Sequence, residues 1–442
     1  MGSLNATIRK FGQHRLARPM ALAAASNGIV SVLGMVTMLL LAHNVGAEVF
    51  GAFGAIVALA AMTGRILSPS TAYWLPKAIA DTKERASSLL YLLNIVVLIE
   101  FTAVIVAACL TCVLSARFLG AAHAHLGTAT IALLVFSTTV SLLPSQAIFM
   151  RVLHQDQSLA LRILAMAAGR ILIVVTCITL QCPPARTIAS ISVFDLITFG
   201  ILVLLTRTAV TDADRRGQVK AESWTRVLPG IWTLRKDTLQ AWFNSIVKGL
   251  HRDLDILLVS KLGGLEAAAV VKMSKAVVIA AMRLTDPIYN VLVAHYATER
   301  STAAGSTAAR ESIRTAHRML PWAVAAAFVA IPMASLLIAR MLHVAGSFNL
   351  TLAVAGYALG ASLACATVSW QPLLLATHGP AGIVRTTLMA AVVQIATLFC
   401  LVPVLGPAGC AIAYLLFYAV WTANTQRTLI RMQPSHPAPS AA

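Results

Sequence analysis

Charge is scarce in this 442-residue chain: 11% of its residues are Asp, Glu, Lys or Arg, against 58% hydrophobic. A soluble protein of this length needs far more polar surface than that, so most of the chain has lipid as its solvent. Acidic side chains are scarcer still, 16 against 34 Lys and Arg. No acidic catalytic pair stands out among them, and there is no Gly-Lys phosphate loop, which argues against direct use of ATP. Long polar segments between the hydrophobic runs are also missing. Apart from a linker at 207–237, the longest connection outside the basic ones spans only 115–127. That argues against an external domain, and with it against a membrane glycosyltransferase or polymerase. All seven cysteines lie in or beside apolar runs, and the one CxxC, Cys109 to Cys112, sits in an apolar helix. Redox or metal chemistry is not expected there. The eleven histidines are scattered, and His123 and His125 share a short turn with no further ligand near. Hence no metal, no cofactor and no enzymatic activity are expected.

Hydrophobic runs fill the space. A helix needs about 20 apolar residues to cross about 30 Å of hydrocarbon, and twelve such stretches occur. They centre on Val32, Met62, Leu98, Ser137, Leu172, Thr198, Ser245, Ala280, Ala327, Leu359, Val392 and Leu415. The fold class is therefore all-α, a polytopic membrane protein with twelve transmembrane helices. The run from Met20 to Ala42 is too long for a signal core and has no clean small-x-small site, so it reads as an uncleaved first span. A net charge of +18 would suggest nucleic acid in a soluble protein, but the cations here are sorted by side. With the first residues in the cytoplasm, the tail and even-numbered connections hold 23 of the 34 Lys and Arg; the odd-numbered ones hold Arg117, Arg186, Lys261 and Arg340. This asymmetry places both termini in the cytoplasm.

One helix plan occurs twice, about 218 residues apart. Asn27, Ile29, Val30, Gly46, Glu48, Arg65 and Pro69 correspond to Asn244, Ile246, Val247, Gly263, Glu266, Arg283 and Pro287, with one extra residue near the turn. An Arg four residues before a Pro inside an apolar span is rare enough to mark a duplication. Six spans per copy is an even number, so both copies enter from the same side, as in parallel transporter repeats. The organisation expected is a six-helix bundle at 1–206, a cytoplasmic linker at 207–237, a second six-helix bundle at 238–427 and a cytoplasmic tail at 428–442. Ser141 with Pro144 and Ser369 with Pro372 read as matching kinks in the fourth span of each half.

Span seven carries Lys248, His251, Arg252 and Asp255 within about 100° of arc, and span eight carries Lys272, Lys275, Arg283 and Asp286 within about 80°. A charge at mid-bilayer costs about 2.5 to 3.5 kcal/mol on insertion scales, so these faces look inward. Two readings stand side by side. In one, Arg252 with Asp255 and Arg283 with Asp286 form local pairs; in the other, the stripes line a water-filled cationic cavity, with Asp253 the nearby opposite charge of Lys248, Lys272 and Lys275. Arg65 and Arg283 occupy equivalent depths, where facing guanidinium forks suit a phosphate or diphosphate, or each snorkels to the interface. The candidate substrate-binding residues are Arg65, Lys248, Arg252, Lys272, Lys275 and Arg283. Glu100, Asp195, Asp253, Asp255 and Asp286 are candidates for charge balance or for a coupling ion, with Glu100 and Asp195 set against Arg65 and Arg170.

The segment Val45-Gly46-Ala47-Glu48-Val49-Phe50-Gly51 resembles the turn after the first span of Wzx-type polysaccharide flippases, in the multidrug/oligosaccharidyl-lipid/polysaccharide (MOP) exporter superfamily. Arg252 to Leu258 with Gly263 and Glu266 is similar to that family's seventh span, and Leu401-Val402-Pro403 through Gly409 to its last loop. The resemblance implies a MATE-like fold, two pseudo-symmetric six-helix bundles around a cavity opening alternately to each side. It implies a multi-pass protein of the bacterial inner membrane that flips undecaprenyl-diphosphate-linked oligosaccharide units, driven by an ion gradient. Its partners would be that polyprenyl-diphosphate-linked oligosaccharide, membrane lipid, and a polysaccharide polymerase and co-polymerase; nucleic acid is not among them. The alternative is a MATE-type drug/cation antiporter, but such exporters usually carry an acidic residue in the first helix and Met20–Ala42 has none. A peptidoglycan-precursor flippase typically has two further spans.

Overall fold

The structure, a computed structural model, describes residues 17–68, 71, 75, 89–143, 145–153, 155–216, 235–283, 285, 302–344 and 348–431, with the side chains at 17–27, 156, 216, 235–237, 241, 248, 281, 302–310 and 376–380 left out of the description. These residues form fourteen helices and no strand. In chain order they are α1 (Ala17–Val45), α2 (Ala47–Leu67), α3 (Leu89–Phe118), the short α4 (Gly120–Leu126), α5 (Thr128–Ser141), α6 (Ser145–Val152), α7 (Asp156–Thr179) and α8 (Pro184–Arg216). Then come α9 (Arg235–Leu262), α10 (Gly264–Arg283), α11 (Thr302–Leu342), α12 (Phe348–Ala366), α13 (Trp370–Leu405) and α14 (Pro407–Arg431). All twelve span centres named above fall in separate helices, with α5 and α6 together making the fourth span.

Ten helices are long and apolar enough to cross a membrane, and the chain is a multi-pass membrane protein. The other two spans are α9 and α10, whose 28 and 20 residues are also long enough to cross. Their charged stripes lower the apolarity, and the packing explains why that is tolerated. Both lie inside the molecule against α2, while α7 and α8 turn Leu161, Leu172, Ile197 and Leu204 outward to lipid.

The turns show how the repeat is built. Gly46 between α1 and α2 has φ +80°, and Gly264 between α9 and α10 has φ +85°, a conformation costly for residues with a Cβ. The counterpart of Gly46 is therefore Gly264 rather than Gly263, and the extra residue of the second copy precedes it. Glu48 and Glu266 then sit in the first turns of α2 and α10, where a carboxylate favours the positive helix end. The proposed second repeat signal differs from expectation. The fourth span is broken at Leu142 and Leu143, between the end of α5 and the start of α6; Pro144 lies outside the described residues. Pro372 instead lies in the first turn of α13, beyond the end of α12, where its missing N–H leaves no orphan. Pro69, Pro287 and linker residues 217–234 lie outside the described residues.

The first bundle, α1 to α8, is tied by α1 against α7, α2 against α3 and α5, and α8 against α5 and α7. Asp214 of α8 caps α3, its two oxygens accepting from the Leu89 and Leu90 amides at 3.0 Å each. The second bundle, α9 to α14, is tied by α14 against α12 and α13, and by α9 against α10 and α13. The bundles meet where α2 lies against α9 and α10, and α1 against α10 and α11. Small residues let these backbones approach. A Cβ on Gly51 would fall 1.8 Å from the Leu265 carbonyl oxygen, and one on Gly54 would fall 3.2 Å from Cγ of Lys272.

Candidate functional site

Within the second bundle, the charged stripes meet a ring of aromatic residues. Asp255 of α9 is fully buried, and Lys275 of α10 reaches it with Nζ at 2.6 Å from Oδ1. Tyr357 of α12 donates its hydroxyl to the other oxygen, Oδ2, at 2.6 Å, and the Ile256 amide adds a bond to Oδ1 at 2.8 Å. Lys275 also donates to the Arg252 carbonyl and lies 5.7 Å and 5.9 Å from the Tyr357 and Tyr414 ring centres. This network joins α9, α10, α12 and α14 and satisfies both charges. One turn away, His251 and Gln394 bond reciprocally. Nδ1 meets Oε1 at 2.7 Å, Gln394 Nε2 donates to the His251 carbonyl at 3.0 Å, and the imidazole stacks on Phe417 with centres 3.5 Å apart.

The expected local pairing of Arg252 with Asp255 does not form, because Lys275 and Tyr357 occupy both carboxylate oxygens. Arg252 is exposed, and neither its guanidinium nor that of Arg283 makes a hydrogen bond or ion pair among the described residues. Both line a cavity of about 400 Å³ bounded by α9, α10, α12, α13 and α14, with His251, Gln371, Thr387, Tyr414, Phe417 and Trp421 among its walls. It lies in the half of the second bundle nearer the face on which the chain begins, at the end of α10 and the start of α13. This cavity lies within the second bundle, while Gly51 and Gly54 let α2 close directly onto α10.

The remaining candidates are dispersed. Arg65 does not face Arg283 as a free fork; it forms an ion pair with Asp253 of α9 across the bundle boundary. Gly249 makes room for it, since a Cβ there would lie 2.9 Å from Arg65 Cδ. Trp242 adds a second bridge, donating Nε1 to the Ile66 carbonyl at 2.8 Å. Asp253→Ala would strand Arg65 at this boundary. A cost of about 1 to 3 kcal/mol, read as a lowered Tm of the purified protein, is expected because both side chains are largely shielded. Lys272 lies against Gly54 with Nζ 5.9 Å from the Phe53 ring centre, so it faces α2. Lys275 is the exception: it lines the same cavity as Arg252 and Arg283, with its Nζ held by Asp255. Arg170 donates Nε to Asp195 at 2.6 Å in the first bundle. Glu100 does not balance Arg65: it is buried and accepts from the hydroxyls of Thr71 and Ser145, at 2.5 Å each. The Lys248 side chain and all of Asp286 lie outside the described residues.

Sequence reasoning overlooked the aromatic wall. Tyr414, Phe417, Tyr418 and Trp421 follow the i, i+3, i+4, i+7 spacing of one helix face, in a chain with 6% aromatic residues. That spacing was a usable signal.

No known family profile matches the chain, and no curated protein matches it in sequence. Solved structures do share its shape. One is an inward-facing multidrug resistance MATE family transporter of the MOP superfamily, 14% identical, with TM-score 0.60 over 92% of this chain and 96% of that one. A substituted form of the Vibrio cholerae MATE transporter VcmN is 13% identical, with TM-score 0.59 over 98% of both chains. The lipid II flippase MurJ, in an inward closed conformation, is 14% identical, with TM-score 0.50 over 92% of this chain and 89% of that one. The chain therefore has a MATE-like fold, with its membrane helices in two six-helix bundles.

Proposed function

We propose that this protein is a MOP-type transporter that flips undecaprenyl-diphosphate-linked oligosaccharide units across the bacterial inner membrane by alternating access. The observation that carries this reading is the cavity in which Arg252 and Arg283 have no carboxylate partner among the described residues and stand beside an aromatic wall. Two guanidinium forks suit a diphosphate, because each donates paired hydrogen bonds to its oxygens. The faces of Tyr414, Phe417 and Trp421 suit sugar rings, which have an apolar side. With both termini cytoplasmic, as the Lys and Arg asymmetry argues, the cavity lies toward the leaflet on which such a unit would be loaded. The likeness to a lipid II flippase supports a lipid-linked substrate. A polysaccharide polymerase with its co-polymerase would consume the flipped unit.

A drug/cation antiporter is the second reading, favoured by the higher TM-scores of the two MATE structures. Two unpaired guanidinium groups repel a cation, which weighs against it.

Proteoliposomes carrying a fluorescent oligosaccharide on a polyprenyl diphosphate separate the two. The Arg252→Ala/Arg283→Ala protein is expected to transfer the lipid between leaflets about 10- to 100-fold more slowly, as losing one or two charge-assisted bonds implies. Unchanged transfer in that variant, or export of a cationic dye with no lipid transfer by the native protein, would overturn the flippase reading.

A further inference from the structure

Glu100 is a carboxylate buried about 16 Å along α3, at a depth where lipid surrounds the bundle. Thr71 donates to Oε1 and Ser145 to Oε2, each at 2.5 Å. Ser145 is the first residue of α6, so its hydroxyl is delivered by the break in the fourth span, and the positive end of that half-helix faces the carboxylate. The next residue, Gln146, is also buried. Its Nε2 donates to Ser145 Oγ at 3.3 Å, and its Oε1 has no hydrogen-bond partner among the described residues.

No described cation neutralises this group. On α2, Arg65 is held by Asp253, and Glu48 sits at the far first turn. On α8, Asp195 is held by Arg170, Asp214 caps α3, and Arg207 and Arg215 are exposed; Asp212 and Arg186 lie near the helix ends. On α4, His123 bonds Ser115, and His125 approaches Glu48. Arg151 of α6 is exposed, and α5 carries no titratable residue. A lone buried negative charge in a membrane-spanning bundle is expensive, and hydroxyls packed directly on both oxygens leave the proton as the cation that fits.

We infer that Glu100, cradled by Thr71, Ser145 and Gln146 at the broken fourth span, is a proton-binding site of the first bundle. On the transporter reading proposed above, it is where the driving ion loads, remote from the substrate cavity of the second bundle.

Two measurements on the full-length protein in lipid test this. Infrared difference spectra need no substrate. A protonated-carboxyl stretch that comes and goes with pH is expected in the native protein, absent in Glu100→Gln, and displaced in frequency in Ser145→Ala, which removes one donor. Identical spectra for the native and Glu100→Gln proteins at every pH, or a band erased by sodium at fixed pH, would overturn the assignment. In proteoliposomes, the ratio of lipid-transfer rates with and without an imposed pH gradient should exceed 1 for the native protein and fall to 1 for Glu100→Gln. A ratio unchanged by the substitution would overturn the coupling role. A titrating Glu100 band in a protein that transfers no lipid-linked sugar would leave the proton site standing and remove the flippase reading instead.

Discussion

Lys275→Ala is expected to destabilise the protein by about 3 to 5 kcal/mol, the largest loss from any single side chain in the second bundle. Lys275 is 3% exposed and Asp255 fully buried, so removing the ammonium leaves a carboxylate with neither water nor a counter-charge. The Tyr357 hydroxyl and the Ile256 amide still bond it, but neither carries charge. The partners span four helices, so the loss should lower the Tm of the whole bundle in nanodiscs. The compensated variant separates charge from packing. Lys275→Met with Asp255→Leu removes both ions, and Tyr357→Phe removes the hydroxyl that would then lack an acceptor. That triple variant should regain most of the lost Tm, since apolar groups of similar size replace buried ion pairs at little cost. A Tm for Lys275→Ala equal to that of the native protein would show that Asp255 is not ionised against Lys275.

The same network marks where sequence stops informing structure. Helix positions were legible because a lipid-facing surface must be apolar over a fixed length, and eleven of the twelve runs became a single helix each, the fourth being split between α5 and α6. The inward orientation of α9 and α10 was legible from their charge stripes. The partner of each charge was not. A spacing of three residues offered Arg252 to Asp255, yet Lys275, twenty residues on, took the carboxylate, and Arg65 reached Asp253 across 188 residues. Residues three apart on one helix can meet, but inside a bundle the facing helices compete for the same carboxylate, and here they supplied both partners. The cavity's place inside one bundle was equally hidden, because it depends on how closely α2 packs on α10, a matter of backbone distance. From sequence, Glu100 could be a counter-charge or an ion site, and only the three-dimensional placement of Thr71 and Ser145 separates it from Arg65.

Gly51→Ala is expected to force the two bundles apart at the face opposite the chain's beginning. Its Cβ would lie 1.8 Å from the Leu265 carbonyl oxygen and 2.6 Å from the carbonyl carbon, both backbone atoms that no rotamer change can move aside. Leu265 follows the Gly263–Gly264 turn, so relief requires α10 and its turn to shift as a unit. Overpacking of side chains costs about 1 to 3 kcal/mol, and a clash with backbone should reach the upper end or beyond. If the bundles exchange between packed and separated arrangements, each 1.4 kcal/mol shifts that equilibrium about tenfold, so one methyl group should convert a packed majority into a minority. Spin labels at Glu48 and Glu266, exposed on the first turns of α2 and α10, would report it in a background with the seven native cysteines replaced. A longer mean distance is expected in Gly51→Ala and none in Gly34→Ala, where a Cβ meets nothing within 4 Å. The same distance in both would show that α2 and α10 do not pack through this glycine. On the flippase reading proposed above, the consequence is a cycle stalled with that face open, so Gly51→Ala should slow leaflet transfer although it touches no residue of the cavity.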